Sequence, residues 1–563
     1  MSNAAPLLKP LIRNRLRLKR GRDRGYLVGA TAVALTVILP LVALVVIALS
    51  GTSTNWRHLA ETILPEASRV TLLLMLGIAL VAGSIGVVTA WLVASFQFPG
   101  RRVFAWALVL PLAVPTYIAA YSVVEFLHFA GPVQTAIRDI FGFQTSREYW
   151  FPEIRSLGGA VLILSSVLYP YIFLTVRLVF VMQGRKAGDV ARTLGASRAA
   201  VFARILLPMA RPAIAIGVAL ALMEAVNDIG AVEFLGVRTL TFAVYSTWLN
   251  RGDLYGATQI ALFMLAVIVF LVLVERFARR QQRFTIHRGD RPQEGHEPLR
   301  GWRGALAALA CAVPIAVGFG IPVLVLGDFA LRRLDQLADP QLWRALEHTV
   351  VIATAAGLAT VGAGFAMAYG IRLTGSRRLA ALVRVAALGY AVPGTVLAIG
   401  ILIPLAAFDN AVDAVMRDWF GISTGLLLSG SGFAIVYACF VRFMAMGHGA
   451  IESGFSKLSP HLDMAARTLG RGPGGTLRQI LLPLMQPALL TAFLLVFVDA
   501  TKELSATILL RPFDFETLAT FVYAQTSRAA FEDGALAALM IVMVGILPVM
   551  LLTRSILKET ERG

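Results

Sequence analysis

DVARTLGASRAAVFARILLPMARPAI, from Asp189 to Ile214, is written twice in this chain: MAARTLGRGPGGTLRQILLPLMQPAL, from Met464 to Leu489, repeats it at a constant offset. The offset lays Ala191 to Gly195 (ARTLG) on Ala466 to Gly470, Ile205 on Ile480, Pro208 on Pro483 and Pro212 on Pro487. Each copy is a basic, polar interruption between long apolar runs, so it sits at a membrane surface and acts in duplicate. Locally the pattern predicts two short helices about a turn. Asp189 stands near a helix start, where the helix dipole favours an acid. Gly195 suits the left-handed residue that closes that helix, Ser197 caps the next, and Pro208 is expected to end it. The same outline describes a DNA-binding helix-turn-helix, but the flanking apolar runs pin the segment to a membrane.

Composition sets the class. The chain is 57% hydrophobic and 15% charged, with a mean hydropathy of +0.74, whereas soluble domains carry about 25% charged residues. The net charge of +18 is spread as short basic clusters beside apolar runs, which fits the positive-inside rule and not a nucleic-acid-binding face. Cys311 and Cys439 lie in apolar stretches of different halves, without a CxxC spacing, and read as small buried apolar residues.

Apolar runs long enough to cross a bilayer fall near 27–50, 69–95, 103–127, 157–182, 212–236 and 257–278, then near 303–327, 347–371, 380–407, 424–447, 487–510 and 535–557. The expected fold is therefore an all-α integral membrane protein of about twelve transmembrane helices in two parallel six-helix repeats, related by an axis along the membrane normal. The expected organisation is a basic cytoplasmic N-terminus (1–26), a first six-span domain (27–278), a cytoplasmic linker (279–302), a second six-span domain (303–557) and a short tail (558–563). Lys9 to Arg24 holds eight Lys/Arg against one Asp, and both duplicated loops, the linker and Arg554 to Arg562 fall on the same basic side. The opposite loops are mixed or acidic, which places both termini in the cytoplasm.

At this point the duplicated loop resembles the EAA motif, EAAxxxG followed by IxLP, of permease subunits of binding-protein-dependent ABC importers. Asp189, Ala191, Gly195, Ile205 and Pro208 match it in the first copy. Ala465, Ala466, Gly470, Ile480 and Pro483 match it in the second, where Met464 replaces the acid and Gly472, Pro473, Gly474 and Gly475 stand where a helix would start. The resemblance implies a type I importer permease whose two loops dock in a cytoplasmic ABC ATPase, expected as a homodimer. It also implies a periplasmic solute-binding protein as donor and a bacterial inner-membrane location among lipid. Ala221 to Trp248 and Val496 to Ser527, with its KELSAT and LRP runs, resemble the fused ferric-iron uptake permeases in particular; thiamine, phosphonate, polyamine and sulfate permeases share the architecture.

No Gly-rich phosphate loop ending in Gly-Lys-Ser/Thr occurs, nor HExxH. The chain is thus expected to be non-catalytic and to bind no cofactor, ATP and Mg being used by the partner ATPase. Acids inside apolar runs are costly and point to function. Glu224 and Asp228 are four apart, with Glu233 beyond; Asp499 and Glu503 match them in the second copy, with Lys502 beside them. Carboxylates on one helix face suit a hard cation as a translocation path, and ion pairing such as Lys502 with Asp499 is the structural alternative. Tyr117, Tyr121 and Glu125 form a second stripe of oxygen donors, against which stands an aromatic belt at the outer interface. No metal site is assigned. A gradient-driven secondary transporter is the rival from another class, and it leaves the twin loops unexplained.

Overall fold

The computed structural model describes residues 5–181 apart from 52 and 54, residues 191, 193 and 195–281, and residues 297–561 apart from 460. It is almost wholly helical; among the described residues, a two-residue parallel pairing of Phe96–Gln97 with Glu297–Pro298 is the sole sheet. Eleven described helices are long and apolar enough to cross a membrane, and a twelfth crossing is made if the bent pair Arg101–Ala113 and Thr116–Phe141 is counted as one.

Where the helices depart from the expected straight spans, proline is the reason. The run expected near 103–127 is bent by 98°. Val114 there is extended ahead of Pro115, and Val392 is extended ahead of Pro393 in the second copy (ψ 119° and 124°). The proline ring bars the preceding residue from helical geometry, so each Val-Pro ends a one-turn 3-10 segment and starts a new helix. Accordingly 380–407 divides into Arg377–Ala386, a 3-10 turn and Gly394–Phe420.

The chain packs as two compact units that do not follow the sequence halves. One unit comprises Met1–Val46 with Glu347–Phe515; the other comprises Ile47–Leu346 with Glu516–Gly563. The expected first domain counts 27–50 with the helices that follow it, yet the contacts put most of that span with the second-half core. A specific bond shows why it belongs there. Pro40 lacks the N–H that would pair with the Thr36 carbonyl, and the Tyr437 hydroxyl donates to that carbonyl at 2.6 Å. In the other unit, the span Trp302–Arg332 lies against first-half helices, and a Cβ at Gly318 would fall 2.2 Å from the Ser166 carbonyl oxygen.

Close helix crossings rest on small residues, as expected where lipid removes the hydrophobic drive between helices. A Cβ on Gly86 would lie 2.7 Å from the Ile172 Cβ and one on Gly217 2.7 Å from its Cα, so three helices converge on that one residue. Cys311 and Cys439 are free and buried, as the sequence reading expects.

Candidate coupling loops and polar helix breaks

Both copies of the duplicated segment close with the same turn. Gly195 has φ +85° and the Ala196 N–H donates to the Ala191 carbonyl at 3.0 Å; Gly470 has φ +76° and the Arg471 N–H donates to the Ala466 carbonyl at 2.9 Å. This long-reach bond around a left-handed residue is a helix-closing motif. A Cβ at either glycine would meet nothing within 4 Å, so backbone conformation, not space, demands glycine. Ser197 then caps the next helix, its hydroxyl accepting from the Ala200 N–H at 3.3 Å. In the second copy the Gly-Pro-Gly-Gly run starts a helix after all. Pro473 takes a first-turn position, where its missing N–H costs nothing, and the Gly472 carbonyl accepts from the Thr476 N–H at 2.9 Å.

Pro208 and Pro483 do not end these helices. Each follows a five-residue π-turn, Phe202–Leu206 or Leu477–Leu481, and the helical runs continue as Arg198–Asn227 and Gly474–Thr501. The widened turn absorbs the proline ring and its missing donor. Ile205 and Ile480 lie within the π-turns, half-buried; Ala191 and Ala466 are buried and Ala465 is exposed. Asp189 lies outside the described residues. On the second loop Met464 and Leu469 are 52% and 80% exposed, apolar surface of the kind a partner covers.

Two arginines that the sequence reading passed over hold these loops. Arg372, at the end of the span Pro340–Thr374, pairs with Asp463 through Nε and Nη2 at 2.9 and 2.8 Å. Its remaining donors reach the carbonyls of Phe455, Leu458 and Ser459 at 3.1 to 3.2 Å. One planar fork thus gathers the end of one span and the start of the second loop, a task lysine cannot perform. On the first loop, Arg198 pairs with Glu297, near the end of the linker. Only Asp463, beside the motif's first position, hinted at the first of these clamps.

The acids in the fifth and eleventh apolar runs mark helix breaks. Glu224 and Asp499 sit on the last turns, but the helices end at Asn227 and Thr501, so Asp228 and Glu503 lie past the ends and the expected shared helix face is not formed. Instead Asp228 Oδ1 accepts from the Ala231 N–H and Glu503 Oε1 from the Ala506 N–H, both at 2.9 Å. Each carboxylate satisfies a backbone donor that the break exposes. Glu503 is also ion-paired with Arg442, both side chains buried, and Asp499 with Lys502 at 2.7 Å. Glu224 and Asp228 belong to one compact unit, and Asp499 and Glu503 to the other.

Glu233 is placed differently. The Tyr523 hydroxyl donates to Glu233 Oε2 at 2.7 Å, and the Tyr245 hydroxyl lies 3.1 Å from that of Tyr523. Since the single proton of Tyr523 goes to the carboxylate, Tyr245 is the donor to Tyr523. Tyr117 and Tyr121 are 3% and 6% exposed, buried inside the unit. The Tyr121 ring meets Phe234 edge-on at 4.6 Å. Glu125 lines with Tyr121 and Ser122 a cavity of about 20 Å³, room for about one water. Among the described residues no group of three or more His, Cys, Asp or Glu side chains is gathered to hold a metal.

Residues 82–283 match the family described as the inner membrane component of binding-protein-dependent transport systems. The Fe(3+)-transport system permease protein of Haemophilus influenzae is 24% identical over 489 residues, 86% of this chain and 88% of its own. A protein described as a probable sulfate transport system permease, from Chlorokybus atmophyticus, is 30% identical over 42% of this chain and 82% of its own. The chain belongs to this permease family. A molybdenum transport system permease protein of Escherichia coli is 29% identical over 35% of this chain and 86% of its own. Membership favours the importer-permease reading over the gradient-driven alternative. The matched stretch contains the first loop, the first helix break and Glu233, while the second copy is carried by the internal repeat and by the Haemophilus relative.

Proposed function

We propose that this permease carries ferric iron inward across the bacterial inner membrane, taking it from a periplasmic binding protein and drawing energy from a cytoplasmic ATPase dimer docked on the two loops. The observation that carries the reading is the repeated turn: two loops of one geometry, each closed at a left-handed glycine, suit a two-fold ATPase that needs two matched attachment points. When the ATPase dimer closes on ATP, the loops move with it and the spans open outward to accept cargo; hydrolysis resets the path inward. Ferric iron is supported by extent, since the ferric relative aligns with most of the chain and the sulfate and molybdenum relatives with less than half.

The test is ATP hydrolysis by the chain and its ATPase in liposomes, with binding protein loaded with ferric iron, sulfate, molybdate or thiamine. Stimulation by the ferric-loaded protein alone is expected. Stimulation by another cargo alone would keep the importer and overturn the substrate.

A further inference from the structure

Tyr245 and Tyr523 match in the two copies once the second is allowed three more residues between its helix break and the helix that follows. TLTFAVYSTW (Thr239 to Trp248) and TLATFVYAQT (Thr517 to Thr526) each open with a threonine, and the tyrosine follows at the same distance. In both, that threonine caps the helix start, accepting from the Phe242 or the Thr520 N–H at 3.3 Å. Yet the two tyrosines are not merely analogous: their hydroxyls meet at 3.1 Å. A residue and its own repeat can touch only beside the axis that relates the copies. In two parallel six-span copies that axis runs along the membrane normal, and a path shared equally by both copies runs along it.

One group breaks the symmetry at this point. The offset that aligns the helix breaks lays Glu233 on Ile508, so the carboxylate that receives the Tyr523 proton has no counterpart acid in the second copy. Tyr245 is buried and Glu233 and Tyr523 are half-buried. The nearby guanidinium of Arg155 lies over the Phe234 ring at 4.6 Å. Asp228 and Glu503 cap backbone, and Asp499 and Glu503 pair with Lys502 and Arg442; the Glu233 carboxylate is bonded to a phenol, a ligand-type oxygen.

We propose that Glu233, Tyr523 and Tyr245 form a transit site for a hard trivalent cation, closing the path when empty and passing the cation between oxygens when open. The carboxylate supplies charge and the phenols supply neutral oxygens, the donor set that hard cations favour. An oxyanion such as sulfate or molybdate would meet a carboxylate of its own sign in a poorly solvated place, which is costly. The site rests on the importer reading and deepens it, selecting the cation among the cargoes of the relatives.

The test uses the native chain and its Glu233→Gln, Glu233→Asp and Tyr523→Phe variants in nanodiscs with the ATPase, with thermal stability measured for each. Terbium(III) serves as the hard trivalent probe, read by its tyrosine-sensitised emission, beside ferric uptake in proteoliposomes. Saturable terbium emission is expected in the native chain. It should weaken about tenfold in Glu233→Gln, the scale of one lost charged contact, recover in Glu233→Asp and fall in Tyr523→Phe, with uptake following the same order. Equal terbium emission and uptake in all four chains would overturn the site, as would loss of thermal stability in step with loss of uptake in Glu233→Asp as well. If ferric-loaded binding protein stimulates the native complex but uptake ignores Glu233→Gln, the site fails and the importer reading stands. If only sulfate- or molybdate-loaded protein stimulates it, both fail.

Discussion

Single side chains decide how this permease is held together at its two most demanding places. Arg442 and Glu503 are a buried ion pair, and such pairs are costly to break because the survivor is left charged and unpaired. Arg442→Ala is therefore expected to lower stability by about 3–5 kcal/mol, read as a fall in unfolding temperature of the detergent-solubilised chain. Arg442→Met combined with Glu503→Gln should regain most of it, because Gln keeps an oxygen for the Ala506 N–H. At the second loop, Arg372→Lys keeps the charge but loses the fork. It is expected to leave the chain folded and to weaken ATPase stimulation by loaded binding protein, with Arg372→Ala weaker still; equal stimulation in both would refute the clamp.

At the scale of elements, the turns were legible where the cause is local and hidden where it is not. Gly195 and Gly470 could be assigned a left-handed backbone from the sequence because nothing but chain geometry sets it. The Val-Pro steps at Val114 and Val392 carry an equally local signal, yet hydropathy read them as parts of straight spans. Asp228 and Glu503 looked like neighbours on a helix face to Glu224 and Asp499; the helices stop first, and a carboxylate that caps a break cannot be told from one that lines a path by spacing alone. Thr517 and Thr239 start the short helices that carry the two tyrosines, so Thr517→Ala, which removes a cap worth about 1 kcal/mol, should loosen Tyr523 and raise hydrogen exchange across Leu518–Ser527. Unchanged exchange there would show that packing alone holds the helix.

For the whole molecule, duplication was readable and the packing of the first span was not. Twin loops, like-signed basic edges and even span counts all follow from composition and order, and they lead to a permease with two parallel copies. That the first span, up to Val46, groups with Glu347–Phe515 depends on contacts far apart in sequence, such as Tyr437 with the carbonyl that Pro40 frees, and no periodicity announces them. The meeting of Tyr245 with Tyr523 is hidden for the same reason, although their shared Thr-to-Tyr spacing could have marked them as equivalent. Arg198 and Glu297 tie the first loop to the end of the linker, so charge reversal at both, Arg198→Glu with Glu297→Arg, should restore coupled ATPase activity that Arg198→Glu alone reduces.

The most direct measurement of the central claim is ATP hydrolysis by the reconstituted chain and ATPase, with loaded binding protein, for the native chain, Gly195→Val, Gly470→Val and the double variant. A β-branched residue at a φ near +80° is strained by about 1–2 kcal/mol or more, while a Cβ there touches nothing within 4 Å, so the loops should change shape without disturbing the spans. Two loops that each engage the ATPase predict a partial loss of stimulation in either single variant and a complete loss in the double, with the chain still folded. Full stimulation in the double variant would contradict the account.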